Sequence, residues 1–246
     1  TQGCDGAYQF GDRVFGCWFT QGHGNVDLTS AITQSCDVYF YRTIHYYDLD
    51  KLSKYFRKFG FGNFTSVDIE GESKGIVPTT EYMDKRYGRF GWSTGALLNF
   101  SIGQGEILVT PMQVLNYTNI LASRGNTFKP HFVKSEILNK NKDAGLPAED
   151  WDRIIFDMNQ VVIHSNGTGK GADPLVNGAN IYGKTGTAEN PHGEDHAWFI
   201  GWMNFLDNKY SIVVLLENSG SGGAVAAPVA RKVFNDIISL NSMVAK

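Results

Sequence analysis

The chain has 246 residues, of which 42% are hydrophobic and 19% charged, with a formal net charge of -3. That length fits one large domain or a domain with an appendage, and the apolar share excludes disorder. The charge balance gives no reason to expect a nucleic-acid partner, and the densest basic group, in residues 51–58, reads as a solvated helix face. The longest apolar runs, 197–203 and 212–216, are strand length. They fall far short of the ~20 residues a membrane span needs, and no basic and apolar leader opens the chain.

In chain order, residues 1–26 are rich in glycine and aromatics without a convincing period and read as irregular. Asp27 is placed to cap a short helix through Ala31 and Ile32, and a second helix is expected from Asp37. A third carries Leu49, Leu52, Phe56 and Phe59 at helical spacing and stops at Gly60. Residues 62–105 show little periodicity and read as a long loop, which in a compact domain is usually functional. Thr110-Pro111-Met112-Gln113 is a helix start with a capping-box pair, and that helix should end by Gly125. Another is predicted over 149–165, with Trp151, Ile154, Ile155, Met158, Val161 and Val162 on one face. Three strands follow at about 180–188, 197–205 and 210–217, the last two joined through Leu206-Asp207-Asn208-Lys209. A final helix places Val229, Ala230, Val233, Phe234, Ile237 and Ile238 at its apolar positions. Helices first, then an antiparallel sheet, then a covering helix is an α+β order. The expected division is an irregular segment over 1–36, a helical part over 27–165 and a sheet with its C-terminal helix over 180–240.

Two short motifs carry chemistry. Lys184-Thr185-Gly186-Thr187 lies on a predicted strand, where a lysine and two hydroxyl residues can be aimed into a cleft. Gly186 would let an extended peptide lie against that strand. Alone, the tripeptide is a weak signal. Ser35-Cys36-Asp37, at a junction of two helices, is by itself a common helix cap. Together they resemble two of the three signature motifs of penicillin-binding proteins and related β-lactamases, S-D-N and K-T-G, with the middle motif here in the S-x-D form.

The surrounding runs strengthen the match. Ala31-Ile32-Thr33-Gln34-Ser35-Cys36-Asp37-Val38-Tyr39-Phe40-Tyr41 resembles the middle-motif region of monofunctional (class B) penicillin-binding proteins, and Ser101-Ile102-Gly103-Gln104-Gly105-Glu106 before Thr110-Pro111-Met112-Gln113 does too. Tyr182-Gly183-Lys184-Thr185-Gly186-Thr187-Ala188-Glu189, followed by His196-Ala197-Trp198-Phe199-Ile200-Gly201, completes a resemblance that covers essentially the whole chain. The Ser-Cys-Asp-x-Tyr-Phe-Tyr form is most similar to the penicillin-binding protein 2 branch, the transpeptidases of rod-shape elongation. The resemblance implies a β-lactamase/transpeptidase-like α+β fold, with helices packed on an antiparallel sheet, and a D,D-transpeptidase that cross-links peptidoglycan and is acylated by β-lactams. It assigns Ser35 to a proton relay near the leaving group, Asp37 to the substrate peptide, and Lys184 to positive charge beside the oxyanion. The Thr185 and Thr187 hydroxyls would hold the substrate carboxylate beside Gly186, and the Thr187 N–H would be an oxyanion donor. It also implies a parent anchored in the bacterial inner membrane with this domain in the periplasm, a membrane glycan polymerase and cell-shape proteins as partners, and stem peptides and β-lactams as ligands.

One departure is plain. The family's nucleophile is the serine of S-x-x-K, and no serine or threonine here has a lysine three residues on. In the family that motif lies upstream of S-x-D, so the expectation is a piece of a longer chain, a partial domain whose N-terminal elements precede Thr1 and which is inactive alone. A β-lactam sensor, a zinc-stabilised scaffold without chemistry and, more weakly, a class D-like β-lactamase are the alternatives.

Cys4, Cys17 and Cys36 are all the cysteines of the chain, and His23 lies among them with twelve, five and twelve residues between successive members. Three thiolates and an imidazole suit a closed, tetrahedral structural zinc site, which leaves no position for a catalytic water. Catalysis would then require no metal. The spacing is not that of a zinc finger. Free buried cysteines, or a Cys4–Cys17 disulfide in the oxidising compartment the resemblance implies, are the competing readings. Some relatives in the penicillin-binding protein 2 branch carry zinc in this region on mixed carboxylate, histidine and cysteine ligands; the resemblance implies that cysteines replace the carboxylates here.

Overall fold

The computed structural model describes residues 1–126, 128–134 and 144–244. Elements in chain order are β1 (Gln2–Cys4), β2 (Ala7–Phe10), β3 (Arg13–Gly16), β4 (Gly24–Val26), α1 (Leu28–Gln34), α2 (Asp37–Thr43), α3 (Leu49–Lys58), α4 (Thr80–Tyr87), α5 (Gly95–Ser101), α6 (Pro111–Ala122), α7 (Ala148–Ile163), β5 (Asn180–Ala188), β6 (His196–Phe205), β7 (Asn208–Leu216) and α8 (Ala227–Val244). The expected α+β class is the one observed. The described residues form two compact units, the first drawn from 1–31, 36–117 and 126–144 and the second from 32–35, 118–125 and 145–244.

In the first unit, the stretch expected to be irregular forms two small antiparallel sheets, β1 with β4 and β2 with β3. Strands of three or four residues are too short to show a period of two, so their pairing is fixed by the turns and by what packs on them. Two more helices lie where a long loop was expected. Helix α4 buries only Met83, and α5 has seven residues with Leu97, Leu98 and Phe100 buried, so neither presents a readable stripe. Short helices of this kind depend on tertiary packing rather than on propensity. The core gathers Val26, Ala31, Val38, Tyr41, Ile44, Leu49, Met83, Leu98 and Phe100. Helix α3 is capped by Asp48, whose side chain accepts from the Lys51 N–H at 2.7 Å, and Gly60 takes φ 94° just past its end.

The α6 capping box forms as its sequence predicts. Gln113 accepts from the Thr110 N–H at 2.9 Å, and Thr110 Oγ1 accepts from the Gln113 N–H at 3.1 Å. The same buried Gln113 donates to the Asn63 and Lys74 carbonyls, 2.8 Å each, which ties the loop before α4 to the helix start.

The second unit is built on a three-stranded antiparallel sheet in the order β5-β6-β7, which leaves β5 at one edge. Its core joins Val162 of α7 to Ile181, Phe199, Met203 and Val214 of the sheet and to Ala227, Ala230, Phe234 and Ile238 of α8. Val229 and Val233, expected to face inward, stay 39% and 38% exposed, because the buried stripe runs through Ala230, Phe234 and Ile238. The β6–β7 connection is tighter than expected: Phe205 pairs with Asn208, so Leu206 and Asp207 alone make the turn, with Leu206 at φ 53°. Asp157 of α7 is fully buried and is met by Arg153 Nε at 3.2 Å from both carboxylate oxygens.

Candidate active site and metal centre

Helix α1 ends in a turn that sets Ser35 apart. The Cys36 N–H reaches back to the Ala31 carbonyl at 2.9 Å and the Ser35 N–H to Ile32 at 3.3 Å. This is the Schellman pattern, in which the residue after the C-cap is left-handed and is usually glycine. Here that residue is Ser35, at φ 56°. A left-handed serine costs on the order of 1–2 kcal/mol, so the turn holds strain at a residue already singled out for chemistry.

Lys184 lies in the same unit, on the edge strand β5. Its Nζ donates to Ser35 Oγ at 2.8 Å and to the Thr185 carbonyl at 2.9 Å. Alternation along the strand sends Thr185 and Thr187 to the face opposite Lys184. Thr185 Oγ1 is hydrogen-bonded to Thr168 Oγ1 at 2.7 Å, and Thr187 Oγ1 accepts from the Gly222 N–H at 3.3 Å. Glycines let these backbones close up. A Cβ on Gly222 would lie 2.2 Å from the Trp198 carbonyl and 2.3 Å from that of Gly186, and one on Gly183 would lie 2.4 Å from the Phe199 ring. A Cβ on Gly186 would meet the Trp198 side chain of the paired strand at 3.3 Å, a tight contact.

In the first unit, Cys4, Cys17, His23 and Cys36 place one ligand atom each within 4.8 Å of one another. Cys4 ends β1, His23 precedes its partner β4, Cys17 follows β3, and Cys36 stands at the start of α2. His23 Nδ1 is 3.7 Å from the Cys4 sulfur and 3.5 Å from that of Cys17. Zinc–sulfur and zinc–nitrogen bonds of ordinary length at a tetrahedral angle put those atoms about 3.5 Å apart. The spacing therefore fits a shared tetrahedral ion. All three thiols are free, so the Cys4–Cys17 disulfide is not formed. Gly22 and Gly24 flank His23 at φ 81° and 69°, and a Cβ on Gly22 would strike the Cys4 carbonyl at 2.4 Å.

The start of α2 supplies donors to this cluster. Cys17 is drawn down to about 4 by its hydrogen bond from the Cys36 thiol, against its burial, and by the N–H groups of Phe19, Asp37 and Val38. Cys36 is pushed up by that same hydrogen bond and by burial. The first N–H groups of a helix have no partner within it, and here two of them point at a thiolate. Asp37 carries a second link, accepting from the Trp18 N–H at 3.0 Å, directly after Cys17.

The two residues that the sequence did not flag are Thr168 and Gly222. Glycines on both sides of Thr168 and at 222–223 were the available signal, but glycine clusters read first as turns.

Residues 2–235 match the penicillin-binding protein transpeptidase domain. The chain belongs to this family. Within it, the chain is 36% identical to the peptidoglycan D,D-transpeptidase MrdA of Haemophilus influenzae, over 91% of this chain and 38% of the relative. It is also similar to the solved penicillin-binding protein PBP2 of Helicobacter pylori, with a TM-score of 0.83 and 32% identity over 95% of this chain and 44% of that one. The complex of that protein with MreC gives a TM-score of 0.82, again with 32% identity over 95% and 44%. The chain thus spans less than half the length of these relatives. Among the described residues, no helix is long and apolar enough to cross a membrane.

Proposed function

We propose that this chain forms the back and side walls of a peptidoglycan D,D-transpeptidase cleft whose nucleophilic serine stands upstream. The observation that carries the reading is the bond from Lys184 to Ser35, made across 149 positions of sequence. In the proposed reaction, the upstream serine oxygen bonds to the carbonyl carbon between two D-alanines, and the peptide C–N bond breaks. The proton released by the attacking serine is relayed through Ser35 to the departing D-alanine amine, and Lys184 keeps positive charge beside the oxyanion while the Thr187 N–H donates to it. An acceptor amine from a neighbouring stem peptide then displaces the serine. β-Lactams acylate the same serine. Asp37 holds the peptide, and Thr185 and Thr187 hold the carboxylate as it lies along the strand at Gly186.

Cys4, Cys17, His23 and Cys36 would hold a zinc ion in a structural role, which four protein ligands suit. A bound zinc supplies rigidity to the start of α2, where Asp37 stands. The parent protein is proposed to sit in the inner membrane with this domain in the periplasm. A membrane glycan polymerase and cell-shape proteins are its proposed partners, in keeping with the MreC complex of the Helicobacter pylori relative.

A fluorescent penicillin tests the reading. The longer protein should be labelled on the serine of an upstream Ser-x-x-Lys, and residues 1–246 alone should form no adduct. Labelling of a serine within these residues would overturn the assignment. Metal analysis of protein purified without chelator should give about one zinc per chain; near-zero zinc removes the metal from the proposal.

A further inference from the structure

The loop after α7 does something the two motifs cannot do for themselves. Its run Gly167-Thr168-Gly169 is pinned by glycine contacts. The Gly167 N–H donates to His164 and the Gly169 N–H to Val161, both at 2.9 Å, and a Cβ on Gly167 would lie 2.3 Å from the Val161 carbonyl. On the far side, a Cβ on Gly223 would lie 2.7 Å from the Thr168 carbonyl. Thr168 is thereby fixed as a rigid point, and it makes two bonds. Its N–H donates to the Thr33 carbonyl at 3.2 Å, in the last turn of α1 before Ser35. Its hydroxyl bonds the Thr185 hydroxyl at 2.7 Å.

We infer that Thr168 is a positioning residue for the transpeptidase site, holding the turn that carries Ser35 through its backbone and orienting the Thr185 hydroxyl toward a ligand carboxylate through its side chain. This rests on the proposed contact of Thr185 with that carboxylate. The direction follows from the donor inventory. A carboxylate only accepts, so Thr185 must spend its single proton on it, and its oxygen is then open to a proton from Thr168. Donation from Thr168 polarises the Thr185 O–H and strengthens its bond to the anion. Thr185 is itself only 9% exposed, so its rotor has few alternatives.

The test compares acylation rates of the longer, serine-bearing protein with a penicillin and with the neutral methyl amide of that penicillin's carboxylate. Thr168→Val keeps the backbone N–H and the shape but removes the hydroxyl. It should slow acylation by the free acid about tenfold, the scale of one hydrogen bond, and leave the neutral derivative's rate unchanged. Thr168→Ser should restore the acid's rate. Thr168→Ala is run alongside so that a packing failure of the valine does not decide the outcome, and melting temperatures are recorded for each. Equal slowing of both ligands by the valine and alanine variants would mean a merely structural role and overturn the inference. Thr185→Val separates the two levels of the reading. If it is selective for the acid while the Thr168 variants match wild type, the inference fails and the Thr185 contact stands. If Thr185→Val shows no selectivity either, the contact itself is wrong and the inference goes with it.

Discussion

The thiol pocket and the serine–lysine site meet in the sequence at adjacent residues, Cys36 and Ser35, yet they are made of opposite surfaces. Cys4, Cys17 and Cys36 are 1%, 4% and 0% exposed, and the Cys17 thiolate is surrounded by donors from the chain. Ser35, Lys184 and Thr168 are only partly buried; Lys184 bonds to Ser35 and to the Thr185 carbonyl, and Thr168 to the Thr185 hydroxyl, bonds that a ligand can join or replace. A closed set of soft ligands suits an ion that stays, whereas an edge strand with shared hydroxyl protons suits a substrate that leaves. The difference teaches how one short motif can serve both. The Schellman turn at Ser35 sends consecutive side chains to different surroundings, so the serine can stand by the strand lysine while the cysteine is buried among thiols.

Three substitutions would break or sharpen that contrast. The largest effect is expected from Lys184→Ala in the longer protein. Penicillin acylation should fall by about 10²–10³-fold, the usual loss when one oxyanion-stabilising group is removed, while zinc content stays at the wild-type level. Loss of zinc together with acylation would mean that the two regions are one site. Next is Cys17→Ser, read by metal analysis and melting temperature. It should abolish zinc binding and lower the melting temperature by roughly 10 °C, from a linkage contribution of about 3–4 kcal/mol. A variant that keeps wild-type melting behaviour would show that the pocket holds no stabilising ion. The smallest is Gly222→Ala, which forces a methyl group toward the Trp198 and Gly186 carbonyls. It should destabilise by about 1–3 kcal/mol in chemical denaturation and leave zinc bound. A neutral result would show that the strand carrying Gly186 can shift freely.

How much of this was legible depended on whether the signal was local. The α6 capping box at Thr110 and Gln113 could be read because both partners lie three residues apart. The strand 180–188 was visible at its full length, and in the structure it pairs residue for residue with β6. The two small sheets of residues 2–26 were not visible. Their strands are short, and Cys4, Gly22 and Gly24 are held by contacts with each other and not by a pattern. Helix α4 escaped notice because one buried methionine does not make a period. Thr168 lay in a glycine run that reads as a turn, and nothing within the run announces its bond to Thr185, 17 residues on.

The sequence by itself determined the class of fold, the family resemblance, the order of motifs and the set of residues able to bind a metal. Each of these is written in residue type and spacing along the chain. Only the tertiary structure decided that Ser35 is left-handed, that Lys184 reaches its hydroxyl, that three cysteines and a histidine converge, and that Thr168 joins the two motifs. Those are relations between segments whose separation in sequence says nothing of their distance in space, and packing alone fixes them.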